Sequence, residues 1–245
     1  MKKILALACL SFSLFSCGGH GGNNTGSIPE GNALGFCGQV PTSLSSAGFA
    51  NTNDLQDFYK KFNITLVNEV PLNYQVQFVN ELRKIPESYL NFTIKTFYSS
   101  EIRVISGNGV GEDPTFTGVT TADGRDWKTV PGAGGGPTYI VANKLYKNHG
   151  SFDLVVHEYM HTFDRTRILD TAISSSTEWK NLMGDPNLNR ILQLTCGDYC
   201  TKNPVEAFAE TMAIYYGCGR SNALLKSSPS VISFIQRIEK MVQER

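Results

Sequence analysis

The sequence predicts an α+β domain: a small twisted sheet, an active-site helix and a mostly helical C-terminal half. Three observations carry that expectation. After two helical patterns between residues 53 and 86, strand-like apolar runs and Gly-containing turns extend to residue 146, and helical periodicity dominates beyond it. One of the helical patterns contains the run His157-Glu158-Tyr159-Met160-His161. With 245 residues, 41% of them hydrophobic, the chain suffices for one domain with a core and a short appendage. Its 22 basic and 22 acidic residues balance, so charge gives no reason to expect a nucleic-acid partner.

The N-terminus reads as an export signal. Lys2 and Lys3 precede an apolar run over residues 4–15 that is too short to span a bilayer as a helix. The run ends Leu14-Phe15-Ser16-Cys17-Gly18, which resembles the bacterial lipobox, with Cys17 as the lipidated residue. Gly18 in place of Asp resembles outer-membrane sorting. The expected layout is a lipoprotein signal peptide over 1–16, a flexible tether over 17–36 and one folded domain over 37–245. The expected location is extracytoplasmic, on the outer membrane or cell surface, with the membrane as partner through the lipid. Cys9 leaves with the signal, so Cys37, Cys196, Cys200 and Cys218 remain for two disulfides in one of three pairings.

Along the domain, Leu55, Phe58, Tyr59 and Phe62 follow Asn53 at helical spacing, and Val76, Val79, Leu82 and Ile85 mark a second helix ending near Pro86. Residues 92–97 and 102–105 read as strands. Asp123-Gly124 within 119–129 signals a tight hairpin, 131–137 a mobile Gly-rich loop, and 139–146 a further strand. His149 reads as an exposed-loop histidine.

The H-E-x-x-H run carries the chemistry. In a helix, positions i and i+4 share a face, so His157 and His161 can reach one ion while Glu158 stands ready to take a proton from water. The run arises by chance in only roughly 0.3% of chains of this composition. Gly150-Ser151 supplies a stop and a cap before Phe152, and Val156, Met160 and Phe163 form the core stripe. Two buried histidines serving packing alone would be costly without polar partners.

Zinc requires a third protein ligand and an open position. Asp164 and Arg167 stand where metzincins need Gly and His, which excludes that class. Glu178, in a thermolysin-type arrangement, sits in what reads as a helix start, where a carboxylate favours the positive dipole end. The better candidate lies in Asn203-Pro204-Val205-Glu206-Ala207-Phe208-Ala209-Glu210, a capped helix with Glu206 and Glu210 on one face. No Lys or Arg lies between Lys202 and Arg220, so two adjacent carboxylates need another cation. Glu206 is expected as the ligand, and Glu210 as the group that holds an imidazole N–H.

The stretch 119–242 resembles the catalytic domain of anthrax lethal factor and the Pro-Pro endopeptidases. The resembling pieces are 123–127, Val130-Pro131-Gly132 with its Gly run, His157-Glu158-x-x-His161-Thr-x-Asp164, and Glu206-x-Phe208-Ala209-Glu210 preceded by Tyr199. The resemblance implies a zincin-like zinc endopeptidase holding one Zn2+ per chain through His157, His161 and Glu206. It implies Glu158 as general base, Tyr199 assisting the oxyanion, and a polypeptide substrate. Asp164 is expected to orient a ligand histidine. Thr162, where the family has a smaller residue, and the cysteines around Tyr199 are departures. A Cys196–Cys200 or Cys200–Cys218 bridge would constrain the Tyr199 loop; it reads first as a staple for an exported protein, with pre-positioning of the phenol as the alternative. By analogy with zincins, the strand within 137–146 is expected to pair with the substrate backbone. The alternatives are a catalytically inert surface-binding lipoprotein with the zincin fold, and a thermolysin-type peptidase using Glu178.

Overall fold

Residues 15–16, 40–121, 124–147 and 150–245 are described by a computed structural model. The expected signal segment up to residue 14, the lipid site Cys17, the tether, Cys37, Asp123 and His149 lie outside the described residues.

Asn51 opens the first helix, accepting from the amides of Asn53 and Asp54, so α1 (Thr52–Lys61) starts ahead of Asn53. The strand β2 (Ile64–Val67) follows, then α2 (Leu72–Leu82) as the periodicity predicts. Residues 92–97 correct the sequence reading: they belong mostly to the helix α3 (Glu87–Thr96). Thr93 and Thr96 return their hydroxyls to the carbonyls of Tyr89 and Phe92, and Tyr89 and Phe92 pack on Phe163 with ring centroids 4.6 and 6.2 Å away. Tertiary packing on the motif helix outweighs the β-prone composition.

The sheet takes β1 (Phe15–Ser16), β2, β3 (Ile102–Ile105), β4 (Gly132–Gly134) and β5 (Thr138–Val141) in the order β1-β4-β5-β3-β2. β2, β3 and β5 run parallel, and β4 runs antiparallel to both β5 and β1. Alternation along the strands sends Ile102, Val104 and Ile140 to the main core and Ile105, Tyr139 and Val141 to a smaller one with Phe116 and Trp127. Among the described residues the 119–129 hairpin shows the bridge Thr120 to Asp126, before a 3-10 turn at Trp127–Thr129. The strand expected over 139–146 ends at Val141, where a 3-10 turn, Ala142–Lys144, begins.

Beyond the sheet the described chain is helical: α4 (Leu154–Asp164), α5 (Thr177–Leu182), α6 (Pro186–Thr195), α7 (Asp198–Thr201), α8 (Pro204–Tyr216), α9 (Arg220–Leu225) and α10 (Pro229–Gln243). Cys196 and Cys200 are joined to each other, and Cys218 is also disulfide-bonded. Among the described residues no helix is long and apolar enough to cross a membrane.

Candidate metal centre

The motif helix α4 is capped by Asp153, whose Oδ1 accepts from the Val156 amide at 3.2 Å; the cap expected at Ser151 therefore falls two residues later. Every residue of α4 is buried. A helix with no solvated face must satisfy its polar side chains internally. Helix α8 supplies the partner face. Asn203 caps it through the Val205 amide at 3.1 Å, Pro204 takes its first turn, and Trp179 Nε1 donates to the Pro204 carbonyl at 2.9 Å. Glu206 and Glu210, one helical turn apart, are both fully buried and face α4.

Three donor atoms converge between the two helices. His157 Nε2 lies 3.2 Å from Glu206 Oε2 and 3.1 Å from His161 Nε2, and His161 Nε2 lies 3.4 Å from the same Glu206 oxygen. Zinc bonds of ~2.0–2.2 Å in tetrahedral geometry separate ligand atoms by about 3.3 Å, so this triangle has the dimensions of one face of a zinc tetrahedron. The donor set, two imidazole nitrogens and a carboxylate, is the chemistry zinc takes at catalytic sites. The residues present fit a divalent ion. Burial pushes the Glu206 carboxyl up, but the charge of His161 and the hydrogen bonds of both imidazoles reverse this and hold it well below the usual carboxylate range.

The surrounding groups divide by position. Glu210 Oε2 lies 3.0 Å from His157 Nδ1, and its Oε1 accepts from the Phe152 amide at 3.0 Å, so the carboxylate is braced while it holds the ring. Tyr199 donates its hydroxyl to Glu206 Oε1 at 2.9 Å, which brings it to the cluster. Glu158 is fully buried beside the histidines, beneath β4. Asp164 accepts from the Ser174 amide at 3.0 Å and the Ser174 hydroxyl at 2.5 Å, which anchor the Ile173–Ser175 turn, and the charge of His161 acts on it. Burial raises its pKa, partly countered by Ser174. Glu178 lies outside the cluster, at the surface in the first turn of α5, paired with Arg237.

The Gly-rich stretch departs furthest from its sequence reading. It is not a mobile loop: β4 is buried, and its backbone rests on α4. A Cβ on Gly132 would stand 2.7 Å from Glu158 Cγ, and one on Gly134 would overlap the Glu158 carbonyl oxygen. Only glycine permits that approach. Thr162, the residue after His161, fastens the turn that follows. Its hydroxyl donates to the Gly136 carbonyl at 3.0 Å, accepts from the Gly135 amide at 3.2 Å, and meets the Thr138 hydroxyl at 2.7 Å. The family departure noted at Thr162 was the one sign of this role in the sequence. The strand expected to meet substrate is also corrected: β5 is interior, hydrogen-bonded to β3 on one side and β4 on the other. The strand on its outer side is β4, whose far edge carries the antiparallel pair Phe15–Gly134 and Ser16–Ala133.

Comparison with known proteins gives the family. The family described as anthrax toxin lethal factor, N- and C-terminal domain, matches residues 51–238. A Pro-Pro endopeptidase from Clostridioides difficile (strain 630) is 31% identical over 172 residues, which cover 66% of this chain and 74% of the relative.

Proposed function

The chain belongs to the anthrax toxin lethal factor family, and from that premise we propose that it is a zinc-dependent endopeptidase of zincin-like fold that cuts extracytoplasmic polypeptides. Similarity to a Pro-Pro endopeptidase supports a peptidase. The observation that carries the zinc reading is the buried triangle of His157 Nε2, His161 Nε2 and Glu206 Oε2 with Glu158 beside it. Export and anchoring through Cys17, with 37–245 as the catalytic domain, rest on the lipobox-like N-terminus.

When bound by His157, His161 and Glu206, zinc supplies Lewis acidity and lowers the pKa of water toward neutrality. Glu158 takes the proton of the attacking water and returns it to the leaving amine. Its burial under β4 excludes bulk water, which strengthens electrostatic interactions at that carboxylate. Tyr199 donates its phenolic hydrogen to the oxyanion as it develops. Glu210 keeps the His157 ring in one orientation through Nδ1. The polypeptide substrate adds as an antiparallel strand to the outer edge of β4, where Phe15–Ser16 pairs in this structure. Signal cleavage before Cys17 removes those two residues and frees the edge.

Elemental analysis of the purified chain, with its cysteines oxidised, is expected to return one zinc per molecule. A peptide library with chelator controls then reads cleavage. Glu158→Gln keeps the metal and loses turnover, Glu206→Ala loses the metal, and Glu178→Ala keeps both. Zinc loss on Glu178→Ala, or absence of stoichiometric zinc in the wild type, defeats the proposal. For anchoring, Cys17→Ser is expected to move the protein from the membrane to the soluble fraction.

A further inference from the structure

The short segment between α6 and α8 carries Tyr199 inside a closed ring. Cys196 and Cys200 are bonded, four residues apart, with Cα atoms 5.7 Å from each other. The chain within that ring turns through Gly197 at φ +62, a left-handed conformation that favours glycine, and then makes the single turn of α7. A helix of four residues has no stability of its own, because nucleation costs more than one turn of hydrogen bonds returns. Its position must come from what holds its ends. At one end, the amides of Cys196 and Gly197 both donate to the Leu192 carbonyl, and α6 is seated in the core by Leu188, Ile191 and Leu192. At the other, Cys200 is fully buried, and its carbonyl accepts from the amide of Asn203, the cap of α8. The disulfide links these two anchored points directly. Tyr199, half-buried, projects from the linked turn to Glu206 Oε1 at 2.9 Å, while the other oxygen of that carboxylate faces the two histidines.

We propose that the Cys196–Cys200 disulfide positions Tyr199 for the reaction, holding its hydroxyl at the metal cluster rather than only stapling the fold. The proposal rests on the reading of Tyr199 as oxyanion donor. Both cysteines act through Tyr199 and touch no substrate, so they are positioning residues. Opening the ring lets α7 sample other conformations, and turnover falls with the fraction of molecules that keep the phenol in place. The chain entropy removed by closing so small a ring limits that fall to roughly thirty-fold.

The test is a double-mutant cycle on the zinc-loaded chain, with a peptide taken from the library. Tyr199→Phe is expected to lower kcat by about 10²–10³-fold. Cys196→Ser with Cys200→Ala is expected to lower kcat about tenfold, with zinc stoichiometry kept and KM within about twofold. The triple variant is expected to match Tyr199→Phe, because a missing hydroxyl has nothing left to misplace. A cysteine double variant that melts lower but turns over like wild type reduces the bond to a staple and overturns the proposal. So does a triple variant that loses the same further factor as the double. Wild-type kcat in Tyr199→Phe removes the Tyr199 role and the positioning with it, while the metal and Glu158 variants judge the peptidase reading separately. If the double variant does not fold, phosphine reduction of folded wild type, with alkylation mapped to Cys196, must give the same fall in kcat.

Discussion

Replacing Gly134 by alanine adds one methyl group at the closest approach between β4 and the motif helix. That methyl would overlap the Glu158 carbonyl oxygen and stand 2.8 Å from His161 Cβ and 3.0 Å from the Glu158 carbonyl carbon. Carbon atoms rest at ~3.5–4.0 Å, so the strand must back away from α4 by about 1 Å. It cannot do so freely. β4 is laddered to β5, and the turn that joins them is bonded to Thr162. Overpacking of this kind costs about 2–3 kcal/mol, which lowers the melting temperature of a chain this size by roughly 4–12 °C. Moving the wall beside Glu158 and His161 by that distance lowers kcat/KM on the order of 10²-fold. Thermal unfolding by circular dichroism and peptide turnover read the two effects, with zinc content measured alongside. Gly118→Ala is the control: nothing lies within 4 Å of its added methyl, though its φ of +74 is left-handed. It is expected to lose about 1 kcal/mol to backbone strain alone and to keep full activity. If Gly134→Ala melts and turns over like Gly118→Ala, the close contact between β4 and α4 is not real.

Other perturbations test other joints. Thr162→Val removes the hydroxyl that satisfies Gly135, Gly136 and Thr138; it is expected to cost about 2–4 kcal/mol and to speed amide exchange at Gly135, and Thr162→Ser to restore both. Protection at Gly135 that survives the valine would show the clamp idle. Glu210→Gln weakens the hold on His157 and is expected to loosen zinc about 10–100-fold in a chelator competition; unchanged affinity would remove Glu210 from the site. Glu81 gives a pH test. Its burial, next to Asp153 and against the pull of Lys84, pushes the carboxyl up to about 7. An unfolded glutamate titrates near 4.3, so stability from this group is full at low pH and is lost as pH rises through 7, by up to about 4 kcal/mol. Glu81→Gln cannot ionise. Its melting temperature should therefore gain on wild type between pH 5 and pH 8, and a gap that does not move with pH would contradict the assigned ionisation.

Much of the site was legible before any fold was known. His157 and His161 at i and i+4 and Glu206 and Glu210 at the same spacing are local patterns, and a helix turns such spacing into a shared face whatever surrounds it. The caps Asn203 and Pro204 were legible for the same reason. The hydrogen bonds that Ser174, ten residues on, gives to Asp164 follow no local pattern and were not legible.

The sequence by itself determined which helices carry the donors, because helical periodicity is a property of neighbours along the chain. Only the tertiary structure decided that residues 92–96 are helical, that β4 lies between β5 and β1 on the outer side of the sheet, and that the glycines of β4 form a wall over Glu158. Those outcomes depend on how closely two backbones pack and on which strand closes the sheet. Both are set by contacts between segments far apart in the chain, and composition within a short window does not record them.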